Sequence, residues 1–245
     1  MAPMKVRLKR YQKGFEHSYA FGVYPTLELL ARRPGDVLGV VISPRAEANA
    51  GARRIARLCG ERGVEVLAND RTLERLGARE NDYAVGVFRK YAAALDAAAD
   101  HVALVGAADM GNLGTILRTM AGFGVADLAL VGSAPDINHP RVVRASMGAV
   151  FRCRREYFDT FDAYRARHER SCHPLITGAA TPIRAAEFAR PWTLIFGGEG
   201  PGLPDEFAQV GTPLSIPQTD AIDSLNLSVA VGIALYEAAG RGAAS

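Results

Sequence analysis

Three loops in the second half of the 245-residue chain carry the residues best suited to chemistry. They are rich in glycine or in small polar residues, and they read ADMGNLGTILRTMAGFG (108–124), IFGGEGPGLP (195–204) and SIPQTDAIDSLNLSVA (215–230). Glycine lets a ligand approach the backbone closely, whereas asparagine, serine, glutamate and arginine side chains supply hydrogen bonds and charge. The sequence therefore predicts that these loops bind a ligand.

Two common nucleotide-binding signatures are missing from these loops. The first loop contains neither the GxxxxGK[ST] phosphate-binding pattern nor GxGxxG after the preceding strand, so nucleoside-triphosphate and dinucleotide enzymes are disfavoured. Each loop residue also has a structural explanation when it is taken alone. Asn112 or Ser224 could cap a helix, and Arg118 could be a solvated helix residue. Only the joint order and spacing of the loops favours a functional site.

The elements around these loops read as a parallel α/β domain. The segments HVALVG, ADLALVG, PLITGAA and WTLIFGG are almost continuously apolar, as expected for parallel strands that are covered on both faces. Open α/β sheets bind their ligands outside the carboxyl ends of such strands. The last helix, predicted over 224–240, is apolar almost all round, so it must be buried by the core or by a partner subunit.

The first half alternates strands and helices on a smaller scale. A helix is predicted over 21–33, and strands and helices then alternate through DVLGVVIS, AGARRIARLCGERG, VEVLA, TLERLGA and YAVGVF. The Ala-rich stretch RKYAAALDAAAD is typical of a linker or a connecting helix. The sequence thus predicts a small α/β domain over 1–90, a linker over 91–100 and a parallel α/β domain over 101–245.

Charge is distributed unevenly between the two halves. Residues 1–90 hold 17 Lys+Arg and 10 Asp+Glu, a net charge of +7, whereas residues 91–245 hold 12 and 16, a net charge of −4. Since a basic surface attracts polyanions, the first half is the candidate nucleic-acid-binding half. Its N-terminal arm combines cations with Tyr11 and Phe15, which suit phosphate contact and base stacking. The cations of the arm are Lys5, Arg7, Lys9, Arg10 and Lys13.

Composition points to a folded cytoplasmic protein. Hydrophobic residues make up 49% of the chain, yet no apolar run reaches the ~18 residues that a membrane span needs, and the basic N-terminus lacks the apolar stretch of a signal peptide. Cys59, Cys153 and Cys172 are too widely spaced for a disulfide framework or a paired zinc-ligand pattern. We expect reduced thiols and no metal site.

Taken together, the loops resemble the three motifs of the SPOUT superfamily, in particular its TrmH/SpoU branch of RNA ribose methyltransferases. The first motif, N-x-G-x-x-x-R followed by F-G, is matched by Asn112, Gly114, Arg118, Phe123 and Gly124. The segment PRVVRASMGAV is similar to the R-x-S-x-G segment of the family through Arg144, Ser146 and Gly148. The second and third motifs are matched by Gly197, Glu199, Gly200, Gly202 and Leu203, and by Ile216, Pro217, Ser224, Leu225, Asn226, Ser228, Val229 and Ala230.

The resemblance implies a fold, a cofactor and an assembly. The fold is a small ribosomal-protein-like α/β domain that binds RNA, followed by a trefoil-knotted parallel α/β domain in which the cofactor loops form the knot. The assembly is a homodimer. The cofactor is S-adenosylmethionine, and the reaction is methyl transfer to a ribose 2′-hydroxyl. The residues expected to hold the cofactor are Gly178, Gly197, Gly198, Ile216 and Leu225.

The catalytic residues implied by the resemblance are Asn112, Arg118, Glu199, Ser224 and Asn226. Methyl transfer from a sulfonium is an in-line displacement, so the protein chiefly aligns the reacting groups, and no metal is required. An arginine with a pKa above ~12 is a poor proton acceptor. We therefore interpret Arg118 as a clamp that pairs with an RNA phosphate and stabilises the developing 2′-oxyanion, while phosphate or water removes the proton.

Two alternatives stay open at this point. A separate N-terminal substrate domain favours ribosomal RNA by analogy, but transfer RNA is the closest rival substrate. The third motif commonly has Met and Gly where this chain has Gln218 and Asp220, which leaves the shape of the cofactor loop open. That departure is also the one hint of an RNA-binding protein that keeps the fold without catalysis.

Overall fold

The computed structural model describes Met4 and residues 6–240. The strands are β1 His17–Phe21, β2 Val37–Ile42, β3 Val66–Ala68, β4 Ala84–Arg89, β5 His101–Val105, β6 Asp127–Val131, β7 Arg154–Phe158, β8 Ser171–Pro174, β9 Thr181–Pro182, β10 Trp192–Gly197 and β11 Leu214–Ser215. The α helices are α1 Val23–Arg32, α2 Ala50–Arg62, α3 Asp70–Leu76, α4 Met110–Gly122, α5 Pro140–Ala145, α6 Phe161–Arg165 and α7 Leu227–Gly240.

The described chain divides into two compact units. The first contains the residues up to Tyr91 together with 136–152, and the second contains 92–135 and the residues from Cys153 onward. The sequence prediction put 136–152 in the second domain, so the division differs from a single boundary in the linker. This segment carries three arginines and one aspartate. Its transfer raises the net charge of the first unit to +9 and lowers that of the second to −6.

A four-stranded mixed sheet in the order β1-β4-β2-β3 forms the middle of the first unit. Strand β4 is antiparallel to both β1 and β2, whereas β2 and β3 are parallel. Helices α2 and α3 are each capped by the glycine that follows, Gly63 and Gly77. Both are in the left-handed conformation that glycine adopts without strain. The helix predicted over 21–33 is α1, but β1 precedes it and was not predicted.

The second unit contains a five-stranded sheet in the order β7-β6-β5-β10-β8, and all its strand pairs are parallel. The parallel α/β prediction is therefore confirmed. Residues of β5, β6 and β10 are almost entirely buried, which explains their continuous apolar sequence. Two details differ: β7 was not predicted, and β8 ends at Pro174 where the predicted strand PLITGAA begins.

Three smaller expectations can be compared with the structure: those for the linker, for α7 and for the cysteines. No described residue of the predicted linker 91–100 is helical. Helix α7 starts at Leu227, three residues later than predicted. All three cysteines are free and buried. Within Met4 and residues 6–240, no helix is long and apolar enough to cross a membrane. The same residues contain no group of three or more His, Cys, Asp or Glu side chains placed to hold a metal ion.

Candidate functional site

Sheet topology brings the first two loops together. Strands β5 and β10 are neighbours in the middle of the second sheet, and the connections on their two sides run in opposite directions. Such a switch point opens a crevice at the carboxyl ends of the strands. The loop after β5 leads into α4 with Asn112, and the loop after β10 carries Glu199. The two predicted motifs therefore meet at the edge of the sheet where ligands bind.

The loop after β10 is built so tightly that only glycine fits. A Cβ atom on Gly197 would lie 2.0 Å from the carbonyl carbon of Gly202, and one on Gly198 would lie 2.4 Å from the carbonyl oxygen of Gly106. Gly200 and Gly202 have positive φ angles of 90° and 69°. The repeated glycines thus bring the backbones of the two motif loops into direct contact.

Three predicted catalytic side chains form one hydrogen-bonded network. The Asn112 side-chain amide donates to the carboxylate of Glu199. The Asn226 amide donates in turn to Oδ1 of Asn112, at 3.2 Å. One residue from each of the three motifs is therefore held by the others. Because all three side chains are solvent-accessible or partly so, their remaining hydrogen-bonding capacity faces the outside of the protein.

Asn226 caps a helix, whereas Asn112 does not. Oδ1 of Asn226 accepts from the backbone N–H of Ser228 at 2.9 Å, so Asn226 caps the start of α7. Ser224 precedes it in the loop and does not cap the helix. Helix α4 is capped by Asp109, which accepts from the N–H of Asn112 at 2.7 Å. Asn112 itself is therefore not the cap, and its side chain is free for the network.

A cavity of about 490 Å³ adjoins this network. Its size is within the range of cofactor sites. Among its lining residues are two carboxylate side chains, those of Glu199 and Asp223, and no lysine or arginine. The predicted site residues that line it are Gly197, Gly198, Glu199, Ile216, Ser224, Leu225 and Asn226.

Three predicted site residues lie elsewhere. Gly178 lines a neighbouring cavity of about 340 Å³, while Thr177 before it borders both cavities. Asn112 contacts the cavity through Glu199 and Asn226. Arg118 is exposed on α4, outside the cavity lining, and forms no ion pair among the described residues. Its guanidinium is thus available to a ligand that binds outside the cavity.

One of the two departures in the third motif, Gln218, forms a local contact. The Gln218 side-chain amide donates to the backbone carbonyl of Asp223 at 3.2 Å, across the loop between Ile216 and Leu225. Both Gln218 and Asp223 line the cavity, whereas Asp220 is exposed and does not. Sequence reasoning missed Asp223 as a lining residue, and also Leu175 and Ile176 after β8. Spacing gave no signal for these positions.

The N-terminal arm of the first unit is packed against its core. Val6 and Leu8 are partly buried against the apolar cluster around Tyr19 and Phe21, whereas Arg7 and Lys9 between and beyond them are exposed. The Tyr19 hydroxyl donates to the Lys9 carbonyl at 2.7 Å and holds the arm in place.

Four of the predicted RNA-binding cations belong to this arm and are exposed. Arg7, Lys9, Arg10 and Lys13 form no side-chain ion pair among the residues that the structure describes; Lys5 lies outside the described residues. We call these four residues the basic strip. Burial lowers the pKa of the nearby His17, so its ring is uncharged at neutral pH and the charge of the strip comes from Lys and Arg.

The aromatic residues of the arm are engaged within the unit. The Tyr11 ring lies under the Lys90 ammonium, 4.8 Å from the ring centroid, and its hydroxyl donates to Asp136. The Phe15 ring stacks on His17 with centroids 5.0 Å apart. Lys90 occupies one face of the Tyr11 ring and His139 meets its edge at 5.1 Å between centroids, so base stacking by Tyr11 would use the other face and stays a prediction.

The R-x-S-x-G segment lies in the first unit. Arg144 pairs bidentately with Asp82, at 3.0 and 2.6 Å. Ser146 is buried and donates to the Val143 carbonyl at 3.0 Å. These contacts give the segment a structural role in that unit.

Comparison with known proteins agrees with this site. A family profile described as the SpoU rRNA Methylase family matches residues 100–236. An uncharacterized tRNA/rRNA methyltransferase from Synechocystis sp. is 35% identical over 134 residues, covering 53% of this chain and 49% of the relative. A 23S rRNA (adenosine(1067)-2′-O)-methyltransferase from Streptomyces laurentii is 35% identical over 147 residues, covering 58% of this chain and 54% of the relative. The matches thus span about half the length of these curated relatives.

A solved structure extends the similarity to the first unit. The AdoMet-bound rRNA methyltransferase from Sinorhizobium meliloti has a TM-score of 0.78 and 29% sequence identity, and the match covers 94% of this chain and 89% of that one. The profile covers more than half of the chain and includes the three motif loops. The chain therefore belongs to the SpoU rRNA Methylase family.

Proposed function

We propose that this chain transfers a methyl group from S-adenosylmethionine to a ribose 2′-hydroxyl of ribosomal RNA. The observation that carries the proposal is the network of Asn112, Glu199 and Asn226 beside the glycine-lined cavity. Each of the three residues comes from a different motif. The parallel sheet brings the loops of Asn112 and Glu199 to one edge, and the Asn226 side chain bonds to Asn112 from the loop after β11. Support also comes from relatives and a solved structure that are named as rRNA methyltransferases.

The cavity fits the proposed cofactor. Gly197 and Gly198 line the cavity and let the surrounding loop backbones pack closely, because a Cβ at either position would collide with Gly202 or Gly106. Ile216 and Leu225 supply apolar surface beside backbone groups. These residues would hold the adenosine part of the cofactor, and Glu199 and Asp223 would favour its positive charge. When bound, S-adenosylmethionine supplies an activated methyl group.

The chain's own residues would orient the RNA and stabilise charge. Asn112 and Asn226 fix each other, so their free amide groups are pre-organised to bind the target nucleotide. The exposed Arg118 guanidinium would pair with an RNA phosphate and stabilise the 2′-oxyanion. Arginine cannot accept the proton, so phosphate or water would take it. Ser224 at the cavity rim would bond to the ribose or a phosphate.

The first unit would bind the RNA outside the reaction site. It carries the net charge of +9 and the basic strip, and its exposed cations suit phosphate contacts. Transfer RNA remains the rival substrate, and an RNA-binding protein without catalysis remains the rival from another class. Gln218 is compatible with an intact cofactor loop, because its side chain closes that loop by a hydrogen bond. The cytoplasmic location stays a prediction.

A homodimer is proposed from the surface of α4 and α7. These two helices pack against each other, with Phe123 and Tyr236 edge to face at 6.4 Å between centroids. One face of α7 is buried, but Val229 and Tyr236 are 49% and 67% exposed. A second copy of the chain would cover this apolar surface. Light scattering at micromolar concentration should give twice the monomer mass, and a soluble monomer would contradict the proposal. The trefoil knot stays a prediction.

Calorimetry tests the cofactor site directly. We expect S-adenosylmethionine and its demethylated product to bind the folded protein with micromolar affinity. A folded protein that shows neither heat of binding nor a thermal shift with either compound would remove the methyltransferase proposal and favour the RNA-binding rival.

A further inference from the structure

An exposed tyrosine on the first unit has no role in the site described above. Tyr24 lies in the first turn of α1, and its side chain is 54% exposed. In the N-terminal arm, Tyr11 lies against Lys90 and Phe15 stacks on His17, and both residues are partly buried. Tyr24 is therefore the aromatic side chain of this unit that is best placed to contact something outside the protein.

The segment after α5 is pressed against α1 directly beside Tyr24. Gly148 has a φ of 81°, and a Cβ there would lie 3.1 Å from the Cα of Pro25 and 2.9 Å from the Cβ of Glu28. Tyr24 and Met147 are the chain neighbours of Pro25 and Gly148, so both border this contact. The 146–148 turn therefore packs against the first two turns of α1, next to two exposed side chains.

Met147 is held outward at this contact. It is the one non-glycine residue with positive φ, 51°, among the residues described, and it is 39% exposed. The buried Ser146 hydroxyl anchors the turn by donating to the Val143 carbonyl at 3.0 Å and accepting from the Val150 N–H at 3.4 Å. A left-handed non-glycine residue costs free energy, and here the turn directs a long apolar side chain to the surface.

Two guanidinium groups flank the same surface. Arg152 pairs bidentately with Glu28 at 2.8 and 3.1 Å, and Arg32 is 3.8 Å from the same carboxylate. The hydrogen bond to Glu28 raises the pKa of Arg152. Tyr24 and Glu28 are four residues apart on α1, so they lie on the same face of the helix and Tyr24 is next to this ion pair. Two cations share one carboxylate, so the group keeps a net charge of +1. A guanidinium has five N–H donors, and both retain some for an outside acceptor.

We propose that Tyr24 is a stacking platform for an unpaired RNA base, with Met147 beside it and with Arg32 and Arg152 contacting the adjacent phosphates. An exposed aromatic face beside arginines is the arrangement that binds single-stranded nucleic acid without sequence preference. Ribose methylation also requires an accessible nucleotide, which loops and bulges provide. This inference rests on the proposed function and extends its RNA surface beyond the basic strip.

Binding of a short oligouridine that carries one 2-aminopurine tests the platform. Tyr24→Ala should lower affinity about tenfold, as expected for the loss of one base–aromatic stack, and should remove the 2-aminopurine quenching. Tyr24→Phe should retain both. Tyr157→Ala, a change at a similarly exposed tyrosine of the second unit, should change neither. Unchanged affinity and quenching in Tyr24→Ala would overturn the proposal, as would a wild-type protein that does not bind the oligonucleotide.

Salt dependence tests the arginine part, and cofactor binding separates this proposal from the proposed function. Arg152→Gln should lower the slope of log affinity against log salt by about 0.7. Arg57→Gln is the control and should leave the slope unchanged, because this exposed arginine is on α2 and belongs to neither α1 nor the 146–152 segment. An unchanged slope in Arg152→Gln would remove Arg152 from the platform. All these variants should bind S-adenosylmethionine with equal affinity. A wild-type protein that does not bind S-adenosylmethionine would contradict the proposed function and not the platform.

Discussion

The cavity of the second unit and the basic strip of the first unit are built in opposite ways. At the cavity, backbones of two loops touch, and a single added carbon on Gly197 would lie 2.0 Å from another backbone atom. In the arm that carries the strip, Val6 and Leu8 pack against the core, and the four cations of the strip form no ion pair with described residues. The cavity lining carries carboxylates and no Lys or Arg, whereas the strip is entirely cationic.

We therefore expect the cavity to determine cofactor binding and catalysis, and the strip to contribute to RNA affinity. A cradle made of backbone has one geometry, so we expect it to decide whether the cofactor binds at all. Exposed cations act through summed charge, so each contributes a small and nearly interchangeable share. Substitutions at the cavity and its network should therefore have large, specific effects, and substitutions in the strip should have small, additive ones.

The largest effect is expected at Arg118. Arg118→Ala should lower the methyl-transfer rate at saturating RNA about a thousandfold, because a charge-stabilising donor at a developing oxyanion is lost. Cofactor affinity should not change, since Arg118 is outside the cavity lining. Arg118→Lys should rescue poorly, because lysine lacks the planar fork. Single-turnover kinetics measures this, and a full-rate Arg118→Ala enzyme would make Arg118 an ordinary surface residue.

Gly197→Ala should lower S-adenosylmethionine affinity at least about a hundredfold. The new Cβ would overlap the Gly202 backbone, which cannot move without opening the loop, and backbone strain of this kind is expensive. Calorimetry gives the affinity. Gly60→Ala is the control, because Gly60 lies within α2 with no atom within 4 Å of an added Cβ, and it should bind the cofactor normally. Wild-type affinity in Gly197→Ala would show that the cofactor binds elsewhere.

A double-mutant cycle on Asn112 and Glu199 should give an intermediate effect. The two side chains share a hydrogen bond, so the losses of activity in Asn112→Ala and Glu199→Ala should not add. We expect a coupling free energy of about 1 to 2 kcal/mol in the transition-state stabilisation. Relative kcat/KM values of the two single variants and the double variant measure it. Fully additive losses would mean that the residues act independently.

The smallest effects are expected in the basic strip. Neutralising Lys9 and Arg10 by Lys9→Gln and Arg10→Gln should weaken RNA binding and lower its salt slope by about 0.7 to 0.9 for each lost contact. Since burial lowers the pKa of His17 and of His139, RNA affinity should change little between neutral pH and mildly alkaline pH. Anisotropy titrations at several salt concentrations measure both. A salt slope equal to that of the wild type would exclude the strip as the RNA surface.

The sequence predicted which residues meet at the site better than it predicted which segments pack together. Motif spacing selected Asn112, Glu199 and Asn226, and their side chains form one network. Parallel strands bring Asn112 and Glu199 to one edge of the sheet, whereas Asn226 comes from the loop after β11, outside this sheet. Almost continuous apolar sequence predicted β5, β6 and β10, because both faces of these strands are buried. Strand β7 was missed because it is an edge strand whose sequence, RREYF, is mostly polar and includes a buried arginine, Arg155.

The position of 136–152 could not be predicted from local pattern. What holds it in the first unit is contacts across long sequence separations, such as the pair of Arg144 with Asp82 and of Arg152 with Glu28. Neither pair leaves a periodic signal in the sequence. The same applies to Asp223 at the cavity, whose position depends on how the third loop closes through Gln218. Sequence patterns thus show which elements form, and the folded structure shows which distant side chains meet.

Mass-spectrometric mapping of ribose methylation in total RNA tests the central claim most directly. RNA would be compared from cells that have the gene, cells that lack it, and lacking cells complemented with the wild type or with Arg118→Ala. The account predicts one 2′-O-methylated nucleotide in ribosomal RNA that disappears without the gene and returns only with the wild-type chain. Identical ribose methylation in all four samples, or a lost mark on transfer RNA instead, would contradict it.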